Sequence, residues 1–508
     1  EVTIQSFPLK KTSPRPLQAK FPESSSVQII PSDAFSTRDE TALAAFLAMC
    51  KEEAIKAGTS RFASIVVETS FADPLAILEN IHQDGFPLWY VERPTDEFAL
   101  ACGESTAYEE FTGEDRFEKA KVFCDDIFSK VIATGDIERG AAGPTLALAA
   151  TFESTIDESN SAPAPLTLFL PRWQVMRRDG RHYAVANIEI TPVAELTEVA
   201  KGIWKAYEKL TTQLSPKQLA SLSKDSSSNG RTPAPKLTKL HETPDYEKAV
   251  AKVLPKLNAG DFHKVVLARK INYQADKPPS PFSVAHHLRE RFPDCHSFCI
   301  ADSRPGTLVG ATPERILRVS SGLVETEALA GTAARGRTAG ADARLGHALL
   351  GNDKEGREHR LVVDSLLRRM GELGLENPEE GRPRLLRLSN LQHLRTPLRA
   401  KLPDHLHAID VLSDLHPTPA MGGSPRETAL PHLRNLENFH RGLYSGVAGW
   451  IDHAGDAEFV VPIRCGHLLD KEVTLYAGAG IVQGSDPANE KHETDLKLNA
   501  MLEALQVS

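Results

Sequence analysis

AGAGIVQGSDPANEKHETDLKL, residues 477–498, joins a glycine-rich stretch to a charged segment. The glycines predict a turn from Gly478 to Gly484, whose backbone N–H groups can meet an anion. Asp486-Pro487 then opens a helix, because proline at the first helical position gives up an N–H that has no partner there anyway. On that helix Glu490, Glu493 and Lys497 recur at i, i+3 and i+7 and share one face. Two carboxylates one turn apart suit a hard divalent cation. A solvated charged face behind an ordinary turn would carry the same residues, so the rest of the chain has to decide.

Working backwards, the helix predicted at about 353–371, within NDKEGREHRLVVDSLLRRM, carries a second i, i+3 pair, Glu355 and Glu358. Two such pairs make a ligand set of carboxylate oxygen without Cys or His, which favours Mg²⁺ over zinc. Acidic first turns that answer the helix dipole would look the same. Lys264 begins the strand KVVLARK, where alternation sets it on one face with Val266 and Ala268. A lysine held among apolar side chains can serve as a base, whereas at a sheet edge it would only blunt pairing. Glu314 stands in GATPERIL and can act as an acid if a closed pocket keeps it protonated. As a turn residue it would merely cap backbone N–H groups. Arg464 in VPIRCGHL reads as mid-strand in an apolar run and requires an anionic partner, a bidentate carboxylate being the natural one.

Composition narrows the classes. The chain has 508 residues, 41% hydrophobic and 25% charged, and a net charge of −9. These are the proportions of a soluble globular protein, and the acidic balance argues against nucleic acid as a partner. No stretch reaches the roughly 20 apolar residues that a membrane span needs. Six cysteines in so long a chain give no disulfide framework, and DCHSFC (294–299) lacks a second ligand pair for zinc, so free thiols in a reducing compartment are expected. The N-terminus EVTIQSFPLKKTSPRPLQAKF has no signal-peptide core; basic and Ser/Pro-containing, it is compatible with a trimmed transit peptide.

Loop composition marks residues 10–36, 154–166 and 214–245, the last dividing the chain into 1–245 and a catalytic region 246–508. ASIVVETSF reads as a strand, DPLAILENI as a helix, PLWYVERP with FALACGEST as a hairpin, and TLFLPRWQVMRRDGRHYAVANIEI as two strands across a turn. The N-terminal half offers packing surface and no catalytic constellation. In the C-terminal half, short strands mix with helices, which predicts a layered α+β protein.

Eight motifs in order, KVVLAR, GATPERIL, ALAGTAARG, KEGREHRLVVD, LHPTPAMGG, YSGVAGW, IRCGHL and AGAGIVQGSDPANEKHETDLK, make residues 245–505 resemble the chorismate-utilising enzymes. The family comprises isochorismate synthases, salicylate synthases, anthranilate synthase large subunits and aminodeoxychorismate synthases. The resemblance implies two large antiparallel β-sheets stacked face to face with helices outside, the divergent N-terminal half completing them. Three positions imply the isochorismate synthase branch. Lys264 stands where ammonia-using members usually have Gln. Ala330 replaces the nucleophilic Lys of aminodeoxychorismate synthases. Ala420 stands where salicylate and anthranilate synthases tend to have Thr. Met421, where Leu is usual, is the one small departure.

Family chemistry then implies roles. Mg²⁺ would sit on Glu358 and Glu493, with Glu355 and Glu490 holding its waters, and would bind the ring carboxylate of chorismate. Arg464, Tyr444 and backbone N–H groups near Gly480 would hold the enolpyruvyl carboxylate. Lys264 would activate water at C2 and Glu314 would protonate the departing C4 hydroxyl, giving isochorismate for quinone, siderophore or salicylate synthesis. Gly331, Thr332, His393 and Ala420 would line the ring site, and Lys497 would balance the carboxylates. The alternative for His393 is a satisfied core histidine. The implied enzyme is a monomer or weak homodimer without an amidotransferase subunit, in cytoplasm or plastid stroma.

Overall fold

Near-continuous apolar runs in Arg61–Thr69, Leu88–Arg93 and Lys264–Ala275 give each of these strands buried side chains on both faces, as the interior strands of a layered protein require. The computed structural model describes residues 27–31, 40–69, 73–156, 162–213, 234–388 and 391–506. Its strands form two sheets, of 14 and 10 strands among the described residues. Both halves of the chain enter both sheets. In the larger, Leu88–Arg93 pairs with His296–Ala301; in the smaller, Thr145–Ala150 pairs with Val447–Asp452. The sheets face each other across a shared core in which Trp89, Phe98 and Phe298 of one meet Ala147, Phe169 and Trp450 of the other. Helices cover the outer faces, as Tyr246–Ala259 and Arg426–Glu437 do over Val265 and Leu267. The pairing is antiparallel except at one edge of the larger sheet, where Val131–Gly135 runs parallel to both Gln28–Ile30 and Arg61–Thr69.

Several expectations hold in detail. Asp73 caps the helix Pro74–Ile81 by accepting from the N–H groups of Leu75 and Ala76, and the hairpin at 88–103 forms. Asp486 caps the closing helix Pro487–Leu505 through the N–H groups of Ala488 and Asn489, with Pro487 at its first turn. All six cysteines are buried and free, and no helix among the described residues is long and apolar enough to cross a membrane.

Others need correction. The segment from Gly478 is no turn, because Glu472–Val482 is one continuous strand paired with Lys264–Gln274 and the chain turns only at Gln483–Asp486. Arg464 is not mid-strand; it precedes the strand Cys465–Leu469 with φ of 52°. The stretch 166–190 holds three strands. Pro171 interrupts it, so Leu166–Leu170 joins the smaller sheet while Trp173–Arg178 and Arg181–Ile190 join the larger. The proposed linker is shorter than 214–245, because Leu237–Thr243 pairs with Lys270–Ala275 as an edge strand. Its charged, exposed composition is what an edge strand uses to discourage further pairing. Residues 214–233, 157–161 and 1–26, including the transit-peptide-like stretch, lie outside the described residues.

Candidate active site

Two crossovers between the sheets build one end of the site. Thr307–Thr312 belongs to the larger sheet and Arg315–Ser320 to the smaller, so Pro313-Glu314 is the step between them. Ala457–Val460 and Cys465–Leu469 make the reverse step through residues 461–464, ending on Arg464. Backbone bonds tie the two steps together: Val461 N–H donates to the Glu314 carbonyl at 3.0 Å and Ala311 N–H to the Arg464 carbonyl at 3.1 Å. The left-handed backbone at Arg464, costly for a residue with a Cβ, turns the chain there and is the kind of strain that collects at functional sites.

The other end is regular structure. Lys264 opens its strand and is 1% exposed. Its Nζ donates to Glu358 Oε1 at 2.7 Å, so this lysine sits against a carboxylate and not only among apolar neighbours. A Cβ at Gly480 would fall 2.5 Å from Glu358 Oε1 and 2.9 Å from Lys264 Cε, so glycine there leaves room for that contact. The turn expected around Gly480 is absent, and glycine in this strand makes space in the cavity wall.

One cavity connects the ends. Lys264, Glu314, Gly331, Thr332, Glu358, His393, Ala420, Tyr444, Arg464, Gly480, Glu493 and Lys497 all line it. Glu355 and Glu490 are not among its lining residues. Met421 and Tyr476 also line it, the Tyr476 ring stacking on Tyr444 at 5.1 Å. Tyr476 escaped the sequence reading because an aromatic on a strand reads as core. Gly331 forms a β-bulge: Ala330 pairs with Leu394 and Thr332 with His393, leaving Gly331 as the extra residue with φ of 76°. Bulges of this kind re-aim side chains next to active sites.

Glu314 is 4% exposed, and burial, reinforced by the charge of Glu327, pushes its carboxyl up to about 8. It therefore holds its proton at neutral pH and can donate it. His393 is pushed down to about 3 by burial and by Arg464. Its Nε2 faces Arg464 Nη2 at 3.3 Å, and guanidinium only donates, so Nε2 accepts and the ring proton lies on Nδ1, 3.3 Å from the Gly331 carbonyl. Arg464 itself is 8% exposed, and among the described residues no carboxylate lies within ion-pair distance of it. The expected structural carboxylate partner is absent, and a buried guanidinium facing a cavity calls for an anionic ligand.

The four metal-site candidates do not converge on one point. Among the described residues, no group of three or more His, Cys, Asp or Glu side chains is gathered to hold an ion. The lysines between them explain why. Glu358 meets Lys264, Glu490 meets Lys354 at 3.1 Å, Glu493 meets Lys497 at 2.6 Å, and Glu355 accepts from Thr332 N–H at 3.2 Å. Burial and the neighbouring Glu358 push Glu355 up to about 7, and burial raises Glu490. Glu493 is lowered: burial opposes its ionisation, and Lys497 overcomes that. Two raised carboxylates in a set of hard oxygen donors fit a site able to take a further cation. Cys295 and Cys299 are buried among core side chains.

The model for the chorismate binding enzyme family matches residues 46–506, and the chain belongs to that family. It is 42% identical over 267 residues to the salicylate biosynthesis isochorismate synthase of Pseudomonas aeruginosa, 52% of this chain and 55% of that relative. It is 34% identical over 261 residues to isochorismate synthase EntC of Escherichia coli, 51% of this chain and 67% of the relative. The chain thus spans about half to two thirds of the curated relatives it matches. Among solved structures, MenF, the menaquinone-specific isochorismate synthase from Escherichia coli, superposes with a TM-score of 0.70 at 25% identity over 90% of this chain and 99% of that one. Anthranilate synthase component I from Streptococcus pneumoniae shares the fold, with a TM-score of 0.61 at 19% identity over 80% of this chain and 92% of that one.

Proposed function

We propose that this chain is an isochorismate synthase that converts chorismate to isochorismate by adding water at C2 and expelling the C4 hydroxyl. The observation that carries the reading is a single cavity holding a buried lysine, a buried glutamic acid that keeps its proton, and an arginine without a carboxylate of its own. Arg464 and Tyr444 take the enolpyruvyl carboxylate. Lys264 removes a proton from a water attacking C2. As the C2–O bond forms, the ring double bonds shift and the C4–O bond breaks. Glu314 gives its proton to the departing hydroxyl, which leaves as water. Lys264 ends with one extra proton and Glu314 with one fewer, and exchange with solvent resets both. Neutral His393 fixes Arg464 without adding a second charge. Ala420 lines the cavity without a hydroxyl that could assist a further elimination.

Glu358 and Glu493, with Glu355 and Glu490, are the residues that would hold Mg²⁺. When bound, the ion would anchor the ring carboxylate and compete with Lys264 for Glu358.

Purified protein incubated with chorismate and Mg²⁺, with products separated by chromatography, tests this. Isochorismate without pyruvate, lost on adding EDTA, is expected. Salicylate with pyruvate would instead make it a salicylate synthase, and no conversion would sink the reading.

A further inference from the structure

The strand that carries Lys264 has a gap along its outer edge. Gly423–Ser424 covers Lys264 and Val265, and Leu237–Thr243 covers the strand from Lys270 onward. Val266 N–H still donates to the Gly422 carbonyl at 3.0 Å, but beyond it the Val266 carbonyl and the Ala268 N–H would lack backbone partners, and a side-chain pair fills that place. Ala268 N–H donates to Glu437 Oε1 at 2.8 Å, and Arg441 Nη2 donates to the Val266 carbonyl at 2.6 Å. Arg441 Nη1 also donates to the Met421 carbonyl at 2.8 Å. The two side chains pair with each other, Nε to Oε2 at 2.9 Å and Nη2 to Oε1 at 2.5 Å, and each residue is 2% exposed.

The N-terminal half supports this pair from the other side. Phe152 lies under the guanidinium at 4.3 Å, and the Glu153 carboxylate accepts from the N–H groups of Arg441 and Gly442 at 2.8 and 3.1 Å. Val266 and Met421, whose carbonyls Arg441 holds, both line the active-site cavity, and Lys264 lies two residues ahead of Val266.

We propose that Glu437 and Arg441 are positioning residues that fix the Lys264 strand against the Ala420–Met421 loop; the inference rests on the isochorismate synthase reading above. A buried ion pair is a poor device for stability alone, because its desolvation cost offsets much of its attraction. Its use here is geometric, since one guanidinium reaches two carbonyls on different elements while its partner holds a third backbone group. The base and the loop that shapes the ring site thereby keep one spacing, and misplacement on the order of 1 Å can cost about 100-fold in rate.

Arg441→Lys retains the charge opposite Glu437 but cannot reach both carbonyls. Its steady-state kinetics with chorismate, its pyruvate-to-isochorismate ratio and its Tm should be compared with wild type. We expect kcat to fall roughly 10- to 100-fold with KM changed less than about 3-fold, and stray pyruvate to rise. An active wild type matched within about 2-fold by a variant that only loses Tm would overturn the positioning role. A wild type inert toward chorismate would overturn the functional reading and this inference together. Should Arg441→Lys fail to fold, Glu437→Gln, which keeps an acceptor for Ala268 N–H, carries the same test with the same two outcomes.

Discussion

The two ends of the cavity are built in opposite ways. At the Lys264 end, a strand and two helices present alternating cations and carboxylates, each lysine against a glutamate. At the Glu314 end, two crossovers between the sheets present an acid and an arginine that, among the described residues, form no close ion pair. Regular structure thus holds charges that neutralise one another, and irregular structure holds groups whose partners must come from the ligand. On the proposed mechanism the first end takes a proton from water, and the second captures an anion and donates a proton.

The largest expected effects come from removing the reacting group at either end. Lys264→Ala and Glu314→Gln should each lower kcat by about 10²- to 10⁴-fold, the usual range for general acid–base catalysis. Chorismate binding, measured by calorimetry, should survive in both. A Lys264→Ala enzyme with unchanged kcat would remove the base from this end.

The pH profile separates the ends next. Because Glu314 is raised to about 8, its proton-donating form is lost as pH climbs through that value, and kcat should fall about tenfold per unit above it. Stability follows the same group with a definite sign. The folded carboxyl keeps its proton well above its ordinary value of 4.5, so between that value and about 8 the folded state binds more protons than the unfolded one. Wild type should therefore lose stability relative to Glu314→Gln across that window as pH rises, and the difference should level off above it. Denaturant titrations of both proteins at several pH values check this.

Arg464→Met tests the anion-capturing end. Loss of a buried charged hydrogen-bond donor is worth about 1.5–3 kcal/mol, which corresponds to KM rising about 10- to 100-fold with a smaller change in kcat. The smallest effect is expected at Met421→Leu. That swap conserves volume in the cavity wall, and both Tm and kcat/KM should move by less than the equivalent of about 1.5 kcal/mol.

The same division governs what the sequence makes legible. Periodicity placed Lys264 facing Val266, Glu490 and Glu493 on one helix face, and Asp486-Pro487 at a helix start, because each is a local consequence of strand or helix geometry. The crossovers are not local. Nothing in GATPERIL or VPIRCGHL says that the chain changes sheets at Glu314 or Arg464, so the arginine reads as mid-strand. Gly478 and Gly480 read as a turn because glycine usually marks one, yet here they leave space beneath Tyr444 and beside Lys264. The strand Leu391–Lys401, which carries His393, is interleaved with Arg, Pro and Lys and gives no clean alternation. The lysines that meet the acidic pairs come from elements far apart in the chain, and spacing cannot reveal them.

In the proposed mechanism one end activates the incoming water and the other expels the C4 hydroxyl. Turnover of chorismate in ¹⁸O-labelled water, with the product analysed by mass spectrometry, tests that most directly. If Lys264 activates a solvent water while Glu314 discards the C4 hydroxyl, isochorismate must carry one heavy oxygen at C2. Unlabelled isochorismate would mean that the original hydroxyl migrates within the substrate, and the division of labour between the two ends would be wrong.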